Sequence, residues 1–87
     1  MRNPMWHVYI LRLSDDSLYT GITKDLDRRL EQHRSGDGSK YVRSRLPCEL
    51  VYTEKKENRS QALKREAEIK GYAKKEKEEL VESYVGD

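Results

Sequence analysis

Two short runs rich in β-branched, aromatic and aliphatic residues, joined by a polar turn, open the chain. The runs are WHVYILRL (6–13) and LYTGIT (18–23), and Ser-Asp-Asp-Ser lies between them. Runs of this kind are typical of strands, and a short polar connection joins consecutive strands as a hairpin. The first run is apolar on both of its alternating faces, with Trp6, Val8 and Ile10 on one and Tyr9, Leu11 and Leu13 on the other. The sequence therefore predicts a hairpin whose first strand is buried on both sides.

A helix and a polar loop are predicted after the hairpin. Leucine and histidine recur at spacings of four and three in LDRRLEQH (26–33), which is the period of a helix with one buried face. Thr23 or Asp25 is expected to cap the start of this helix, and Gly36 is expected to end it. Residues 36–47 are polar and are predicted to form a loop.

A third strand is predicted at CELVYTEK (48–55), and it contains the only cysteine of the chain. One face of this strand is expected to carry Cys48, Leu50 and Tyr52, alternating with Glu49 and Val51. A single cysteine excludes an internal disulfide and a cysteine-based metal cage. Cys48 is expected to be a small buried hydrophobic residue, and a reducing cytoplasm is the expected compartment.

Two helices are predicted to complete the fold. The first covers 60–73, with Asn58 or Ser60 as its cap and a bend or an end at Gly71. The second covers 74–84 and is charged and amphipathic, with Leu80, Val81 and Tyr84 as its apolar anchors. The element order is then β-β-α-β-α-α, which predicts an α+β fold with a small three-stranded antiparallel or mixed sheet flanked by helices.

Charge is distributed unevenly along the 87 residues, although the formal net charge is only +2. With 34% hydrophobic and 39% charged residues, the apolar side chains must concentrate on a few faces of one domain, 1–87. No stretch approaches the length of a membrane span, so no membrane contact is expected. A modest basic patch is predicted around the first helix and the loop after it: Arg28, Arg29, Arg34, Lys40, Arg43 and Arg45. On charge alone, a solvated loop is the simpler interpretation of this patch.

Three motifs stand in a fixed order on the predicted hairpin and first helix. They are VYIL (8–11), YTGIT (19–23) and KDLDRRLEQH (24–33). A lone Tyr-x-Gly would say little, but three motifs in this order on these elements are specific. They resemble the GIY-YIG nuclease superfamily, with HVY in place of its first tripeptide and YTG in place of its second. The resemblance covers nearly the whole chain and is to the small stand-alone, single-domain bacterial branch, and it implies the GIY-YIG fold.

The resemblance implies a set of five catalytic residues. Tyr9 would be the base for the attacking water, with Tyr19 beside it across the hairpin to bind phosphate or order water. Arg29 would bind the scissile phosphate through its planar, always charged guanidinium group. His33, one helical turn later, would hydrogen-bond the phosphate or a tyrosine hydroxyl. Glu66 would bind the metal.

The same resemblance implies one Mg²⁺ or Mn²⁺ ion, bound by Glu66 together with substrate phosphate and water. A free phenol ionises at a pH of about 10, so Tyr9 would need cationic neighbours or the metal to lower its pKa. Gly21 would allow close approach of backbone and substrate, because a Cβ there would intrude. The further residues expected to contact DNA are Lys24, Arg28, Lys40, Arg43 and Arg45.

The resulting hypothesis is a metal-dependent DNA endonuclease, structure-selective or weakly specific, that acts in DNA repair or recombination. The alternative is a nucleic-acid-binding module with weak or lost catalysis that uses the same basic groove. A protein partner or an oligomer could also use the C-terminal helix, although packing of its apolar stripe onto the sheet is the simpler interpretation. Trp6 is expected to belong to the core rather than to stack on a base.

Overall fold

The computed structural model describes residues 5–84 of the chain, and these residues contain one three-stranded sheet. The strands are β1 (Trp6–Arg12), β2 (Leu18–Thr23) and β3 (Glu49–Lys56), in the spatial order β2-β1-β3 and antiparallel throughout. In the predicted hairpin, Tyr9 lies opposite Gly21 and Leu11 lies opposite Tyr19. The two tyrosines are therefore diagonal neighbours on one face. The predicted α+β class is confirmed, and β1 is the central strand of the sheet.

Four helices lie among the described residues: α1 (Leu26–Ser35), α2 (Lys40–Arg43), α3 (Arg59–Lys70) and α4 (Lys74–Ser83). Asp25 caps α1 by accepting a hydrogen bond from the Arg28 amide at 3.1 Å. Gly36 ends this helix with a φ of 87°, a left-handed conformation that glycine adopts without steric cost. Asn58 caps α3 by accepting from the Gln61 amide at 2.9 Å. No helix within residues 5–84 combines the length and the apolar character needed to cross a bilayer.

Each face of the sheet carries its own core. The α3 core consists of Val8, Ile10, Tyr52, Ala62 and Ile69. The α1 core consists of Tyr9, Leu11, Leu13, Leu30 and Val42. This division confirms that β1 is buried on both sides. The apolar stripe of α4 packs against the α3 core, which agrees with the simpler interpretation of that stripe.

The prediction of a polar loop over residues 36–47 is wrong, because this segment contains α2. Ser39 caps the short helix by accepting from the Tyr41 amide at 3.1 Å. Val42 is completely buried in the α1 core and Leu46 packs against it, so two apolar side chains anchor a largely polar segment. Their burial depends on tertiary packing, which the local sequence pattern does not report.

The predicted alternation along the third strand is also wrong. Leu11 pairs with Leu50 and Ile10 pairs with Tyr52, so a β-bulge lies between them and Val51 is the additional residue. A bulge reverses the side-chain alternation beyond it. Leu50 therefore packs on the α1 core, whereas Tyr52 belongs to the α3 core.

Candidate active site

Tyr9 lies against Gly21 of the edge strand β2. The two residues are paired in the hairpin, and a Cβ atom at Gly21 would lie only 2.6 Å from the Tyr9 hydroxyl oxygen and 2.7 Å from its Cζ. A larger residue at this position would have to displace the phenol. The missing side chain at Gly21 therefore leaves room for the Tyr9 hydroxyl. The predicted contact of Gly21 with substrate stays a prediction.

His33 contacts the Tyr9 hydroxyl from α1. The hydroxyl oxygen lies 2.9 Å from His33 Nε2, and the imidazole is only 2% exposed. The Tyr19 ring packs edge-on against the same imidazole, with centroids 5.6 Å apart and an interplanar angle of 70°. The structure thus brings three of the five predicted catalytic side chains into direct contact.

Burial controls the protonation of this buried pair. Burial, followed by the neighbouring Tyr19 and Glu66, raises the pKa of Tyr9 to about 12, against the lowering effect of the Arg29 charge. Burial and the Arg29 charge lower the pKa of His33. At neutral pH the phenol is therefore protonated and the imidazole is neutral, which allows the Tyr9 hydroxyl to donate to an imidazole nitrogen.

Glu66 belongs to α3, whose buried residues pack on the face of the sheet opposite to the Tyr9 side chain. Ala62, Glu66 and Ile69 share one side of this helix by their spacing, and Ala62 and Ile69 are completely buried. The Glu66 side chain is 18% exposed and pairs with Lys70 Nζ at 3.3 Å. Its charge contributes to the raised pKa of Tyr9, so the carboxylate lies within electrostatic range of the phenol.

An open cleft of about 390 Å³ lies at the start of α1, and Arg29 forms part of its wall. The Arg29 Nε atom donates to Gln32 Oε1 at 3.1 Å, which orients the guanidinium group. Lys24 and Arg28 line the same cleft. Three of the predicted phosphate-binding cations are therefore gathered on one surface, and the charge of Arg29 acts on the Tyr9 phenol.

The remaining cations of the predicted basic patch do not line this cleft. Arg45 is engaged elsewhere, because its Nε donates to Asp15 Oδ2 at 3.0 Å and its guanidinium group lies 3.8 Å from the Tyr41 ring centroid. Lys40 and Arg43 are exposed on α2, and Arg34 borders a separate hollow. The residues of the modest basic patch predicted from sequence are thus not all gathered in one cleft, and DNA contacts by Lys40, Arg43 and Arg45 stay predictions.

Two residues of the segment expected to be a loop contribute to the site and were missed by the sequence reasoning. A Cβ atom at Gly38 would lie 2.5 Å from His33 Nδ1, so this glycine allows the backbone to pack on the imidazole. Tyr41 stacks on Tyr19 with centroids 6.2 Å apart and an interplanar angle of 23°. The available signal is the adjacent pair Tyr41 and Val42, which interrupts the polar residues 36–45.

A divalent ion is implied by the sequence resemblance, and the donors present fit one kind of ion. Across residues 5–84, no three histidine, cysteine or acidic side chains cluster as a metal-binding group. Glu66 supplies one carboxylate whose charge acts on the Tyr9 phenol. This donor set suits Mg²⁺, which keeps several waters and takes further ligands from substrate phosphate, rather than an ion that needs a protein cage.

The fold and the tyrosine pair define a GIY-YIG type of domain. The family model described as the GIY-YIG catalytic domain matches residues 5–79, and the chain belongs to this family. The predicted family is therefore confirmed, and membership implies nuclease activity.

Two relatives from different organisms are similar to this chain over most of their length. A UPF0213 protein of Haloquadratum walsbyi is 49% identical over 80 residues, which cover 92% of this chain and 90% of the relative. A UPF0213 protein of Staphylococcus aureus is 51% identical over 74 residues, covering 85% of this chain and 90% of the relative.

Two solution NMR structures have the same fold. A UPF0213 protein from Bacillus halodurans matches with a TM-score of 0.59 and 44% identity, covering 90% of this chain and 83% of that chain. A protein from E. faecalis matches with a TM-score of 0.64 and 38% identity, covering 94% and 88% respectively. These experimental structures support the architecture described above.

Proposed function

We propose that this protein is a metal-dependent DNA endonuclease that hydrolyses phosphodiester bonds in the cytoplasm, as a structure-selective or weakly specific enzyme of DNA repair or recombination. The observation that carries this proposal is the buried contact of 2.9 Å between the Tyr9 hydroxyl and His33 Nε2. Arg29 and Glu66 both act electrostatically on this phenol. Two buried titratable groups with shifted pKa values, coupled to a cation and a carboxylate, are typical of a site that moves protons.

The Tyr9 and His33 side chains provide a path for the proton of the attacking water. As water attacks phosphorus, its proton passes to the Tyr9 oxygen while the phenol proton passes to His33 Nε2. The bond from phosphorus to one strand oxygen breaks, and this leaving oxygen takes a proton from solvent. This transfer needs no free phenolate, which the raised pKa of Tyr9 disfavours. The imidazole is neutral beforehand and so can accept the proton.

Arg29 is proposed to bind the phosphate under attack. Its guanidinium group is held by Gln32 beside the phenol, where the negative charge of the transition state develops. A cation already oriented in this way stabilises that charge without reorganising during the reaction. Removal of one such donor typically slows an enzyme by roughly 10²- to 10³-fold.

Glu66 is proposed to hold one Mg²⁺ or Mn²⁺ ion. When bound, the ion would supply acidification of water and neutralisation of phosphate charge. The present partner of Glu66 is Lys70, whose side chain is 56% exposed. A pair with such an exposed lysine contributes little stability, so its replacement by a metal ion costs little.

The alternative function is a nucleic-acid-binding module with weak or lost catalysis. The observation that favours this alternative is the pairing of Glu66 with Lys70, which occupies the carboxylate proposed for the metal ion. Both functions predict binding that weakens with salt. Only the endonuclease predicts cleavage that requires a divalent ion.

The test is incubation of labelled branched, nicked, single-stranded and duplex DNA with the protein, with Mg²⁺ or Mn²⁺ and with a chelator. Arg29→Ala and Arg34→Ala form a matched pair, because both arginines lie on α1 but Arg34 borders a separate hollow. We expect ion-dependent cleavage that falls roughly 10²- to 10³-fold in Arg29→Ala and stays near wild type in Arg34→Ala. Equal rates in both variants would contradict the endonuclease, and binding without cleavage would favour the alternative.

A further inference from the structure

Trp6 forms part of the wall of the cleft that contains Arg29, and it is the only tryptophan of the chain. One part of its ring packs against the α3 core, but the side chain is only partly buried. Trp6 therefore belongs to the core, as expected, through only part of its surface. The remaining surface faces the cleft and has no role in the proposed reaction.

Two exposed cations flank this ring. Lys24 Nζ lies 5.6 Å and the Arg59 guanidinium carbon lies 6.0 Å from the Trp6 ring centroid. These distances are close to the outer limit of about 6 Å for a cation–π contact, so neither cation is held tightly by the ring. An aromatic face beside cations is the combination that binds single nucleic-acid strands, since bases stack on the ring while phosphates pair with the cations.

The charge and the size of the cleft suit a nucleotide. Its acidic lining residue, Asp25, uses its carboxylate to cap α1 by accepting from the Arg28 amide at 3.1 Å. The side chains of Lys24, Arg28 and Arg29 then give the surface a positive charge. A volume of about 390 Å³ lies within the range of sites that hold small organic molecules, roughly 300–1,000 Å³.

The cleft is continuous with the proposed site of cleavage, because Arg29 belongs to both. A nucleotide held there would be a neighbour of the one whose phosphate Arg29 binds. In a duplex, each base is paired and stacked on both sides, so its face is not accessible to a protein side chain. Only an unpaired base could stack on Trp6 from within the cleft.

We propose that this cleft binds an unpaired nucleotide that flanks the scissile phosphate of a DNA strand, with its base on Trp6 and its phosphates at Lys24 and Arg28. This inference rests on the proposed function and specifies its substrate class, which is DNA with a single-stranded segment next to the cut. A fully paired duplex is then a poor substrate. Arg59, whose guanidinium carbon lies 6.0 Å from the ring centroid, adds a further positive charge beside Trp6.

The single tryptophan allows a direct test by fluorescence. A short oligothymidylate and a blunt-ended duplex of the same length are titrated into the protein in a chelating buffer, so that binding is measured without cleavage. Fluorescence reports stacking on Trp6, and anisotropy of end-labelled DNA reports binding. We expect the single strand to quench Trp6 on binding and the duplex to leave its emission nearly unchanged.

Variants separate stacking from folding. Trp6→Leu should weaken single-strand binding roughly 5- to 150-fold, and Trp6→Phe should recover most of the affinity because it keeps an aromatic face. Lys24 is exposed, so Lys24→Ala tests the site without disturbing the core. In a plot of log affinity against log salt concentration, Lys24→Ala should reduce the magnitude of the slope by about 1. Lys75→Ala on α4 should leave this slope unchanged.

Three results would overturn the inference: single-strand binding without a change in Trp6 emission, equal quenching by the duplex, or unchanged affinity in both Trp6→Leu and Lys24→Ala. Its failure is distinguishable from failure of the proposed function. If any of these results occurs while the wild type cleaves DNA with Mg²⁺, the endonuclease stands and the nucleotide site does not. Quenching by single strands without any cleavage would retain the nucleotide site and remove the endonuclease.

Discussion

The two faces of the sheet bury different chemistry. In the α3 core, aliphatic side chains surround Tyr52, whose hydroxyl donates a hydrogen bond of 2.6 Å to Glu54 Oε2. On the face of the α1 core, the Tyr9 hydroxyl lies on an imidazole whose second nitrogen, His33 Nδ1, is buried without a partner. Thr53, which pairs with Tyr9 on that face, also carries a buried hydroxyl without a partner.

If the proposed function is right, the α1 face carries the tyrosine pair and His33 of the site, whereas the α3 face contributes mainly to stability. An unpaired buried polar group costs about 1–3 kcal/mol, so polar residues on the α1 face reduce the free energy of unfolding. The α3 face also buries one hydroxyl without a partner, Thr20 Oγ1, but it offsets this cost with more extensive apolar packing. Substitutions on the α1 face should therefore mainly reduce cleavage, whereas substitutions on the α3 face should mainly reduce stability.

The largest expected effect is on cleavage, from Tyr9→Phe. The variant keeps the ring in the α1 core but removes the group that passes the proton to His33, so the cleavage rate should fall roughly 10²- to 10⁴-fold. Tyr52→Phe is the matched control, because it removes a partnered phenol hydroxyl from the other face. Single-turnover cleavage and chemical unfolding of both variants measure the effect. A comparable loss of cleavage in Tyr52→Phe would contradict the division of roles.

The next effect is on stability, from Ile69→Ala on the α3 core. Ile69 is completely buried, so the cavity should lower the free energy of unfolding by about 2–5 kcal/mol. Leu63→Ala on the same helix should change it by less than about 0.5 kcal/mol, because Leu63 is exposed. Urea unfolding gives both values. Cleavage per folded molecule should be retained in each variant, and its loss in both would show that the two faces are not independent.

Gly21→Ala should affect both quantities moderately. The added Cβ would lie 2.6 Å from the Tyr9 hydroxyl oxygen, so the phenol must shift and its contact with His33 must lengthen. We expect a stability loss of about 1–3 kcal/mol from overpacking, and a fall in cleavage that persists where the variant is fully folded.

Gly71→Ala is the control for this substitution. Its Cβ would meet carbonyl oxygens no closer than 3.5 Å, and its φ of −81° suits alanine, so stability should stay the same or rise by about 0.4–1 kcal/mol. Unfolding curves and cleavage rates for the two variants give the comparison. Wild-type cleavage by Gly21→Ala would show that the placement of the Tyr9 hydroxyl is not critical.

The smallest expected effect is a pH dependence of stability due to His33. Burial lowers its pKa in the folded protein, so the unfolded chain binds more protons between that lowered value and the ordinary value of about 6.5. Stability should therefore fall as the pH drops through this window and should be fully present above it. His33→Gln should reduce the slope, and the part that remains is expected from His7, whose pKa burial also lowers. An unchanged slope in His33→Gln would contradict a buried neutral imidazole.

The elements that local patterns specify were predicted correctly from the sequence. The hairpin follows from two β-rich runs around a polar turn. Each helix cap was predicted as one of two residues, Thr23 or Asp25 and Asn58 or Ser60, and the structure selects Asp25 and Asn58. The family followed from three motifs in order on these elements, and it is confirmed. The extent of the domain over residues 1–87 and the catalytic roles stay predictions.

The features missed by the sequence reasoning depend on contacts between distant segments. The bulge at Val51 arises from pairing with β1, about 40 residues earlier in the chain, and no local pattern in β3 reports it. The helix α2 is anchored by burial of Val42, and Tyr41 joins the site by stacking on Tyr19. The position of Arg45 outside the cleft likewise depends on Asp15, which lies in the hairpin turn and binds this arginine.

The most direct test of the central claim uses two glutamates of one helix. Glu66 acts electrostatically on Tyr9, whereas Glu68, two residues later, is exposed and pairs with Arg65. Cleavage of single-stranded and branched DNA in Mg²⁺ is measured for Glu66→Ala and Glu68→Ala, alongside binding of the same DNA. The expected result is that Glu66→Ala loses cleavage but keeps binding, while Glu68→Ala retains both. Wild-type cleavage by Glu66→Ala would contradict it, because the α3 carboxylate and the tyrosine pair would then not form one site.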